Sequence, residues 1–247
     1  MTQIRPKADS EELTSPGSFL LSFYRSQVGR KWVMALSGVA IVGFVFFHML
    51  GNLHLYEPAG PDGVARIDEY AEGLRAIGEP IIPRSGLLWV ARLGLLAAFL
   101  VHIHAGYSLW WKSRKSRPVA YEADRTWVTA TFASRNMVIT GTIVLLFIIY
   151  HLAHLTWGTV HSDFIPGEVR HNVVTGLANP IVAGWYIIAN LALGLHVLHG
   201  IWSMFQSLGS TSPRLAALRT GLATGITGLI VLGNLSFPLL ILTGVVS

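Results

Sequence analysis

Apolar residues run in five long, nearly uninterrupted stretches, separated by polar segments that carry most of the charge. Each stretch reaches or approaches the roughly 20 apolar residues with which a helix crosses the hydrocarbon core of a bilayer. The stretches are too long and continuous for the strands of a membrane β-barrel. The pattern predicts five transmembrane helices, spans one to five, at approximately Lys31–Leu53, Leu87–Trp111, Asn136–Gly158, Ile181–Gln206 and Thr220–Val245.

The segments outside the spans are short or weakly patterned. Residues 1–18 form a polar arm. The loop Tyr56–Pro83 contains a helical apolar repeat, which predicts an amphipathic helix on the membrane surface. The repeat consists of Ile67, Tyr70, Ala71, Leu74 and Ile77. The loop Thr159–Asn179 is expected to be irregular, and the short link Leu208–Leu218 makes spans four and five antiparallel neighbours. We expect one all-α domain over residues 1–247.

Composition supports a membrane protein and limits its chemistry. Hydrophobic residues make up 52% of the 247 residues and charged residues 13%, and the mean hydropathy is +0.52. A soluble domain of this length could not bury that much apolar surface in one core. The chain has no cysteine. Disulfides, thiolate metal ligands, iron–sulfur clusters held by this chain and covalently attached haem are therefore excluded.

The positive charges are distributed unequally between the two sides of the predicted membrane. Thirteen Lys and Arg residues lie in the N-terminal arm and in the connections that follow spans two and four. The opposite loops hold four (Arg66, Arg75, Arg84 and Arg170) against eight acids. Under the positive-inside rule the N-terminus is cytoplasmic and the C-terminus lies outside the cytoplasmic (inner) membrane. The basic cluster Lys112–Arg117 is read as a topogenic signal, and no nucleic-acid partner is expected.

Spans one to four each carry a histidine within apolar sequence. These are His48, His102, His151 and His196. Ser37-Gly38 precedes the first and Thr140-Gly141 the third, with nine residues between glycine and histidine each time. Gly106 and Gly200 follow the second and fourth by four residues. A metal-ligating side chain in mid-membrane marks function by default. Four at matched positions predict two bis-histidine metal centres, which we interpret as two b-type haems.

Depth in the membrane sorts the histidines into pairs. His48 and His151 lie about 16 residues along spans that enter from the cytoplasm, roughly 24 Å deep. His102 and His196 lie about 15 residues from the outer ends of spans that run the other way. The first two therefore form an outer pair and the last two an inner pair, very roughly 10 Å apart along the membrane normal.

Small and polar neighbours of these histidines have competing interpretations. Gly106 and Gly200 could leave room for a macrocycle edge, which we favour, or allow close helix packing. His154 and His199 could contact a haem propionate or a quinone, replace a ligand, or make an ordinary polar contact in the bundle. Arg92 could pair with a propionate or extend to the outer surface. His104 points to another face of its helix, and His54, His161 and His171 are assigned no role.

At this point the chain resembles the cytochrome b membrane-anchor subunit of succinate dehydrogenase and fumarate reductase, of the single-subunit, five-helix, di-haem type. The resemblance extends from about Gly29 to Leu240. Its motifs are Gly29-Arg30-Lys31-Trp32, Phe47-His48-Met49-Leu50-Gly51-Asn52, Val101-His102 with Gly106, Arg117-Pro118-Val119 with Tyr121, Thr140-Gly141 leading to His151, and His196 leading to Gly200-Ile201-Trp202-Ser203. No single motif is specific; their ordered set on five spans is.

The resemblance implies a four-helix bundle around two haems plus a fifth helix. It implies that His48 and His151 hold the haem distal from the catalytic subunits, and that His102 and His196 hold the proximal one. An iron–sulfur subunit and a flavoprotein with FAD would dock on the cytoplasmic side, and the whole complex could oligomerise. The implied reaction is succinate oxidation with reduction of a membrane quinone, usually menaquinone. This chain would relay electrons and form part of the quinone site, for which Arg30, Trp202 and Ser203 are candidates.

One position departs from the family. Some fumarate reductases of this type carry a glutamate two residues before the proximal ligand in span four, as part of a transmembrane proton route. Gly194 stands there in this chain. The departure weakens the case for that route and favours succinate oxidation.

Three alternatives remain open from the sequence. The first is the cytochrome b subunit of another respiratory enzyme, such as a formate dehydrogenase or a hydrogenase. The second is a transporter in which histidines bind metal ions or relay protons, although spans one to four contain no internal proline. The third is a structural anchor without cofactors, which the retention of four histidines argues against.

Overall fold

The computed structural model describes residues 16–116, 132–209 and 212–247. The described residues are 80% helical, and no strand occurs among them. Helices in chain order are α1 (Pro16–Arg25), α2 (Gln27–Asn52), α3 (Arg66–Ala76), α4 (Gly86–Lys115), α5 (Phe132–Arg135), α6 (Met137–His151), α7 (Val169–Leu177), α8 (Pro180–Ser207) and α9 (Ala216–Leu242). Short 3-10 turns follow α2 and precede α9, and a π-helical turn, Leu152–Thr156, extends α6.

Five segments of the described chain are long and apolar enough to cross a membrane. They correspond to spans one to five and are formed by α2, α4, α6 with its π-helical turn, α8 and α9. Along α4 the large apolar side chains of Leu93, Leu96 and Leu100 are exposed, as expected for a surface that faces lipid. The prediction of five long apolar helices is therefore confirmed for the described residues.

Packing among the spans is uneven. α8 packs along most of α9, α2 along α4, and α6 along α8, while α2 also contacts α8. α4 and α6 contact each other at few positions, although the Tyr107 hydroxyl on α4 lies 2.7 Å from the Thr142 hydroxyl on α6. Neither α2 with α6 nor α4 with α8 is among the closely packed helix pairs of the described chain. Within the described chain, α2 and α6, like α4 and α8, therefore lie diagonally across the bundle from each other.

Gly194 of α8 lies close to α9. A Cβ atom at this position would stand 2.5 Å from Val231 Cγ2, well inside van der Waals contact. Val231 is β-branched and has few alternative rotamers. The close packing of these two helices leaves no room for a glutamate at Gly194.

A small apolar cap covers the end of the bundle that is predicted to face outward, called the outer end. Leu55, Ile67 of α3 and Leu177 of α7 pack against Phe237 and Ile241 of α9. The predicted helix in the loop Tyr56–Pro83 is thus confirmed as α3, while its place on a membrane surface stays a prediction.

A single arginine joins the elements of this cap. Arg170 donates from its backbone N–H to Asp68 Oδ1 at 2.9 Å, and from its guanidinium to the carbonyls of Leu55 and Ser247. These bonds connect α7 to α3, to the turn after α2 and to the C-terminus.

The expectation of an irregular loop over Thr159–Asn179 was wrong for its second half, which contains α7. Val169, Val173 and Leu177 recur at helical spacing and pack against the cap. The Asn172 side chain exchanges two hydrogen bonds with the backbone of Ile165, at 2.7 and 2.8 Å. Glycine and proline in the first half concealed this short amphipathic helix.

Some of the sequence-based predictions lie wholly or partly outside the described residues. Of the polar arm over residues 1–18, only the start of α1 at Pro16 is described. The motif Arg117-Pro118-Val119 and Tyr121 lie outside the described ranges.

Candidate functional site

The four span histidines form two ring pairs across the bundle. His48 on α2 and His151 on α6 have ring centroids 6.0 Å apart, with planes at 80°. His102 on α4 and His196 on α8 have centroids 6.3 Å apart, with planes at 68°. These are the outer and inner pairs that residue depth predicts. Each pair joins diagonally opposite helices and has its rings close to perpendicular.

The inner imidazole of His102 is held by the backbone of α2. Its Nδ1 lies 3.1 Å from the carbonyl oxygen of Met34 and 3.3 Å from Ser37 Oγ. A carbonyl oxygen can only accept a hydrogen bond, so Nδ1 carries the proton. The lone pair of a neutral His102 therefore lies on Nε2, where it is available to a metal.

The other inner imidazole has a similar arrangement on α6. His196 Nδ1 lies 3.4 Å from Thr140 Oγ1, and its ring lies near the backbone of Met137. The two supporting segments are Met34-Ala-Leu-Ser-Gly and Met137-Val-Ile-Thr-Gly. A five-residue pattern thus recurs in spans one and three and supports the histidine of the neighbouring helix.

The glycines that close these segments allow the rings to approach. A Cβ atom at Gly38 would stand 3.3 Å from His102 Cε1, and one at Gly141 would stand 3.1 Å from His196 Cε1. From the sequence these glycines were related to the histidines of their own spans. In the structure they contact the inner histidines of neighbouring spans.

The Nε2 atoms through which the four rings would bind a metal have no hydrogen-bond partner within the described residues. The hydrogen bonds of these rings are made through Nδ1. His48 is exposed and the other three rings are half-buried in the protein alone. Each ring therefore keeps accessible surface despite its depth in a span.

Gly106 and Gly200 lie beside open space. A Cβ atom at either position would have no atom of the described chain within 4 Å, apart from its own helix backbone and chain neighbours. Close helix packing, one of the two interpretations from sequence, is not found at these glycines. The room that a macrocycle edge would need is present one turn from His102 and from His196.

The outer pair is held differently from the inner pair. The Asn52 side-chain nitrogen lies 3.2 Å from His48 Nδ1, one turn along the same helix. His151 Nδ1 lies 3.2 Å from the phenol oxygen of Tyr186 on α8. Neither outer ring has a backbone carbonyl as a partner within the described part of the chain.

A buried polar network continues from Tyr186 toward the outer cap. The same phenol oxygen lies 3.0 Å from Nδ1 of His154, which is 2% exposed. The His154 ring stacks on His161 with centroids 4.8 Å apart. His161 accepts a hydrogen bond from the Asp163 backbone N–H and donates from Nε2 to the Asn172 carbonyl. Sequence reasoning assigned His161 no role and did not single out Tyr186.

The remaining candidates lie apart from the two pairs. His104 Nδ1 lies 2.5 Å from the hydroxyl of Tyr24 on α1, on another face of α4 as expected. His199 packs against Trp202, with ring centroids 6.0 Å apart. The Arg92 guanidinium lies 5.0 Å from the ring centroid of Trp89 on its own helix.

A cavity of about 460 Å³ lies beside His104 at the end of α4 that is predicted to be cytoplasmic. Arg30, Tyr107 and Trp110 are among the residues that line it. A second cavity of about 450 Å³ is lined by Tyr24, His104 and apolar side chains. The Tyr24–His104 hydrogen bond therefore lies between two mainly apolar hollows.

Across the described residues, no cluster of three or more His, Cys, Asp or Glu side chains is arranged to hold a metal ion. A four-coordinate site made only of protein ligands is thus not found in that part of the chain. No family model, curated protein or solved structure matches this chain.

Proposed function

We propose that this chain is the membrane-anchor cytochrome b subunit of a succinate:quinone oxidoreductase. It relays electrons from an iron–sulfur subunit through two b haems to a membrane quinone, menaquinone in the first instance. The observation that carries the proposal is the presence of two diagonal imidazole pairs with uncommitted Nε2 atoms. The family assignment itself rests on the ordered motifs of the sequence.

The spacing of each pair fits two axial ligands on one iron. With metal–nitrogen bonds of about 2.0 Å, and ring nitrogens ~1.1 Å from the ring centre, two collinear imidazoles have centroids roughly 6.2 Å apart. The measured separations are 6.0 Å for His48 and His151 and 6.3 Å for His102 and His196. Nδ1 bonds to Met34 and Tyr186 leave the opposite nitrogen of those rings for the metal.

A porphyrin accounts for these pairs better than a bare metal ion. Two imidazoles are too few for a typical tetrahedral or octahedral site, whereas a porphyrin supplies four further nitrogens. When bound, a haem with two axial imidazoles takes up and releases one electron and keeps no open position for oxygen. His48 and His151 would hold the outer haem, and His102 and His196 the inner haem.

The region around Tyr24 and His104 is our candidate for quinone contact. The flanking hollows expose mostly apolar surface, which suits a quinone ring and its tail. The phenol and imidazole can exchange hydrogen bonds with a quinone oxygen. His104 is two residues from His102 on α4, so the hollow lies at a similar depth to the inner pair. Arg30, a candidate from sequence, lines the larger hollow.

The docking partners follow from topology and resemblance. The positive-inside rule puts the inner pair at the cytoplasmic end. The iron–sulfur subunit would dock at that end, with the flavoprotein and its FAD beyond it. Succinate itself would not contact this chain.

A redox difference spectrum tests the proposal most directly. We would purify the chain with its co-purifying subunits, record reduced minus oxidised spectra and quantify haem by the pyridine haemochrome assay. Two b haems per chain are expected. A folded preparation without haem would refute the electron relay and favour an anchor or a transporter.

The electron donor then identifies the enzyme. Succinate added to oxidised membranes should reduce the haems. Reduction by formate or hydrogen, with no response to succinate, would assign the chain to another respiratory complex.

Quinone contact is tested by Tyr24→Phe and His104→Leu. Both variants should keep two haems and lower the rate of quinone reduction by succinate. His54→Ala, at a histidine that bonds Glu57 near the outer end, is the matched control. Normal quinone kinetics in both variants would remove this region from the site.

A further inference from the structure

One phenol oxygen stands between two imidazoles at the outer pair. Tyr186 Oη lies 3.2 Å from His151 Nδ1 and 3.0 Å from His154 Nδ1. Tyr186 is 6% exposed and His154 is 2% exposed, so little solvent competes for these bonds. The three groups come from α8, α6 and the π-helical turn that follows α6. π-Helical turns occur frequently at functional sites.

Proton bookkeeping gives this arrangement a direction once His151 binds a metal. A phenol has one O–H to donate, so it donates to one Nδ1 and accepts from the other. A neutral His151 that binds a metal through Nε2 carries its proton on Nδ1, and this N–H donates a hydrogen bond to the Tyr186 oxygen. The Tyr186 O–H then donates to His154 Nδ1, and His154 holds its own proton on Nε2.

The phenol is held rigidly by its surroundings. The Tyr186 ring packs edge-on against Phe147 at 4.9 Å and lies in the apolar cap cluster. The Asn190 side chain donates to the Tyr186 carbonyl at 2.8 Å, one turn along α8. A Cβ atom at Gly176 of α7 would stand 2.7 Å from His154 Cε1, so the glycine lets α7 cover the second imidazole.

The other outer ligand has no such support. His48 is exposed, and its Nδ1 partner is the Asn52 amide, which can present either its nitrogen or its oxygen by rotation. On α8, Tyr186 stands ten residues before His196. The matching position on α4, ten residues before His102, is Arg92, whose guanidinium lies over the Trp89 ring. The two histidines of the outer pair are therefore held unequally.

We propose that Tyr186 is the positioning residue of the outer haem site, fixing the ring plane and tautomer of His151 and linking it to His154. This inference rests on the proposed haem function. A hydrogen-bond acceptor on the distal nitrogen makes a ligating imidazole more basic and fixes its orientation. The phenol thereby favours the oxidised, more positively charged state at the outer site.

Tyr186→Phe tests the proposal with a change of one oxygen atom. The outer haem should show a higher midpoint potential and an altered low-spin electron paramagnetic resonance signal, since that signal depends on the angle between the ligand planes. Its retention in detergent should weaken by roughly 10- to 100-fold. The inner haem should keep both its signal and its potential. His151→Ala and His196→Ala identify which signal belongs to which site.

Tyr150→Phe is the matched control. Tyr150 stacks on His154 at 5.5 Å and lies near Tyr186, but its hydroxyl is not part of the link to His151. It should leave the outer signal and potential unchanged. Wild-type values in Tyr186→Phe, or equal shifts at both haems, would overturn the proposal. Absence of haem from the wild-type protein would instead refute the proposed function.

A second variant keeps the test valid if Tyr186→Phe does not accumulate. 3-Fluorotyrosine introduced at position 186 keeps the shape of the side chain and weakens the phenol oxygen as an acceptor. The outer potential should rise by less than in Tyr186→Phe, while the same replacement at position 150 should have no effect. An unchanged outer potential with 3-fluorotyrosine at 186 would also overturn the assignment.

Discussion

The inner and outer halves of the bundle present the same pair of imidazoles in different ways. At the inner pair, both rings are supported by the same five-residue pattern on the neighbouring helix, ending in Gly38 and in Gly141. At the outer pair, one ring is held by a buried phenol and the other by an amide on its own helix. The two inner rings are therefore supported by a repeated pattern, whereas the two outer rings are held by different groups.

The difference shows that one ligand set can depend on different kinds of partner. The Met34 carbonyl bonds the inner ring of His102, and glycines stand beside both inner rings. Side-chain replacements should therefore disturb these rings little, and added volume should disturb them strongly. The outer ring of His151 depends on one hydroxyl group, which a single replacement removes. Substitutions in the two halves of the bundle test this difference.

Removing an inner histidine should have the largest effect. His102→Ala or His196→Ala should lower the haem content from two per chain to one and reduce the amount of assembled complex, because one axial bond is lost in mid-membrane. His48→Ala or His151→Ala should remove the other low-spin signal. Difference spectra and paramagnetic resonance on the same samples measure both.

The histidine experiment has a control and a contrary outcome. His54→Ala should leave the spectrum unchanged, because this ring bonds Glu57 and packs on Tyr70 away from the pairs. Retention of two haems by both inner variants would contradict the pairing and make His104 and His199 the alternative ligands.

Filling the open space beside the inner pair should have the next largest effect. Gly106→Leu or Gly200→Leu adds a side chain where no neighbouring atom lies within 4 Å. If a macrocycle edge occupies that space, the inner haem is displaced while helix content stays the same. Gly94→Leu, at an exposed position of α4 that is also open, is the control. Two haems in both inner variants would show that this space faces lipid.

The architecture was predictable because the bilayer imposes a simple rule on the sequence. Uninterrupted apolar stretches gave five spans whose ends differ by a few residues from the observed ones, such as Leu87–Trp111 against Gly86–Lys115. Residue depth on antiparallel helices also predicted which rings face each other. Helix α7 was missed, since its signal is only nine residues long.

The supporting contacts were less predictable because they depend on which helices are neighbours. The glycines were assigned to their own spans, although Gly38 contacts His102 on α4. The contacts of Tyr186 and His161 depend on the tertiary packing near the outer cap, which the sequence does not show. A hydroxyl in an apolar span, ten residues before a histidine, carries no periodic signal.

Adding one methyl group to the repeated pattern should give an intermediate effect. A Cβ atom at Gly141 would meet the His196 ring at 3.1 Å, and one at Gly38 would meet the His102 ring at 3.3 Å. Gly141→Ala should therefore shift the inner low-spin signal more than Gly38→Ala, with the outer signal unchanged in both. Gly43→Ala on α2, where the methyl meets no atom within 4 Å, is the control. Alanine favours the helix by roughly 1 kcal/mol over glycine, so a loss of haem cannot be attributed to weaker helix formation.

Removing the two inner hydroxyls should have the smallest effect. Ser37 Oγ donates to the Val33 carbonyl at 2.7 Å and is a long 3.3 Å from His102 Nδ1, which retains its bond to Met34. Ser37→Ala should keep both haems and change stability by no more than about 1 kcal/mol. Thr140→Val should behave alike, with a small rise of the inner potential in each. The measurement is a redox titration of the two variants beside Tyr186→Phe. If the hydroxyl variants moved the inner potential as far as Tyr186→Phe moves the outer one, backbone support would not distinguish the two halves. Unequal shifts in the two hydroxyl variants would show that the two copies of the five-residue pattern do not support their histidines equally.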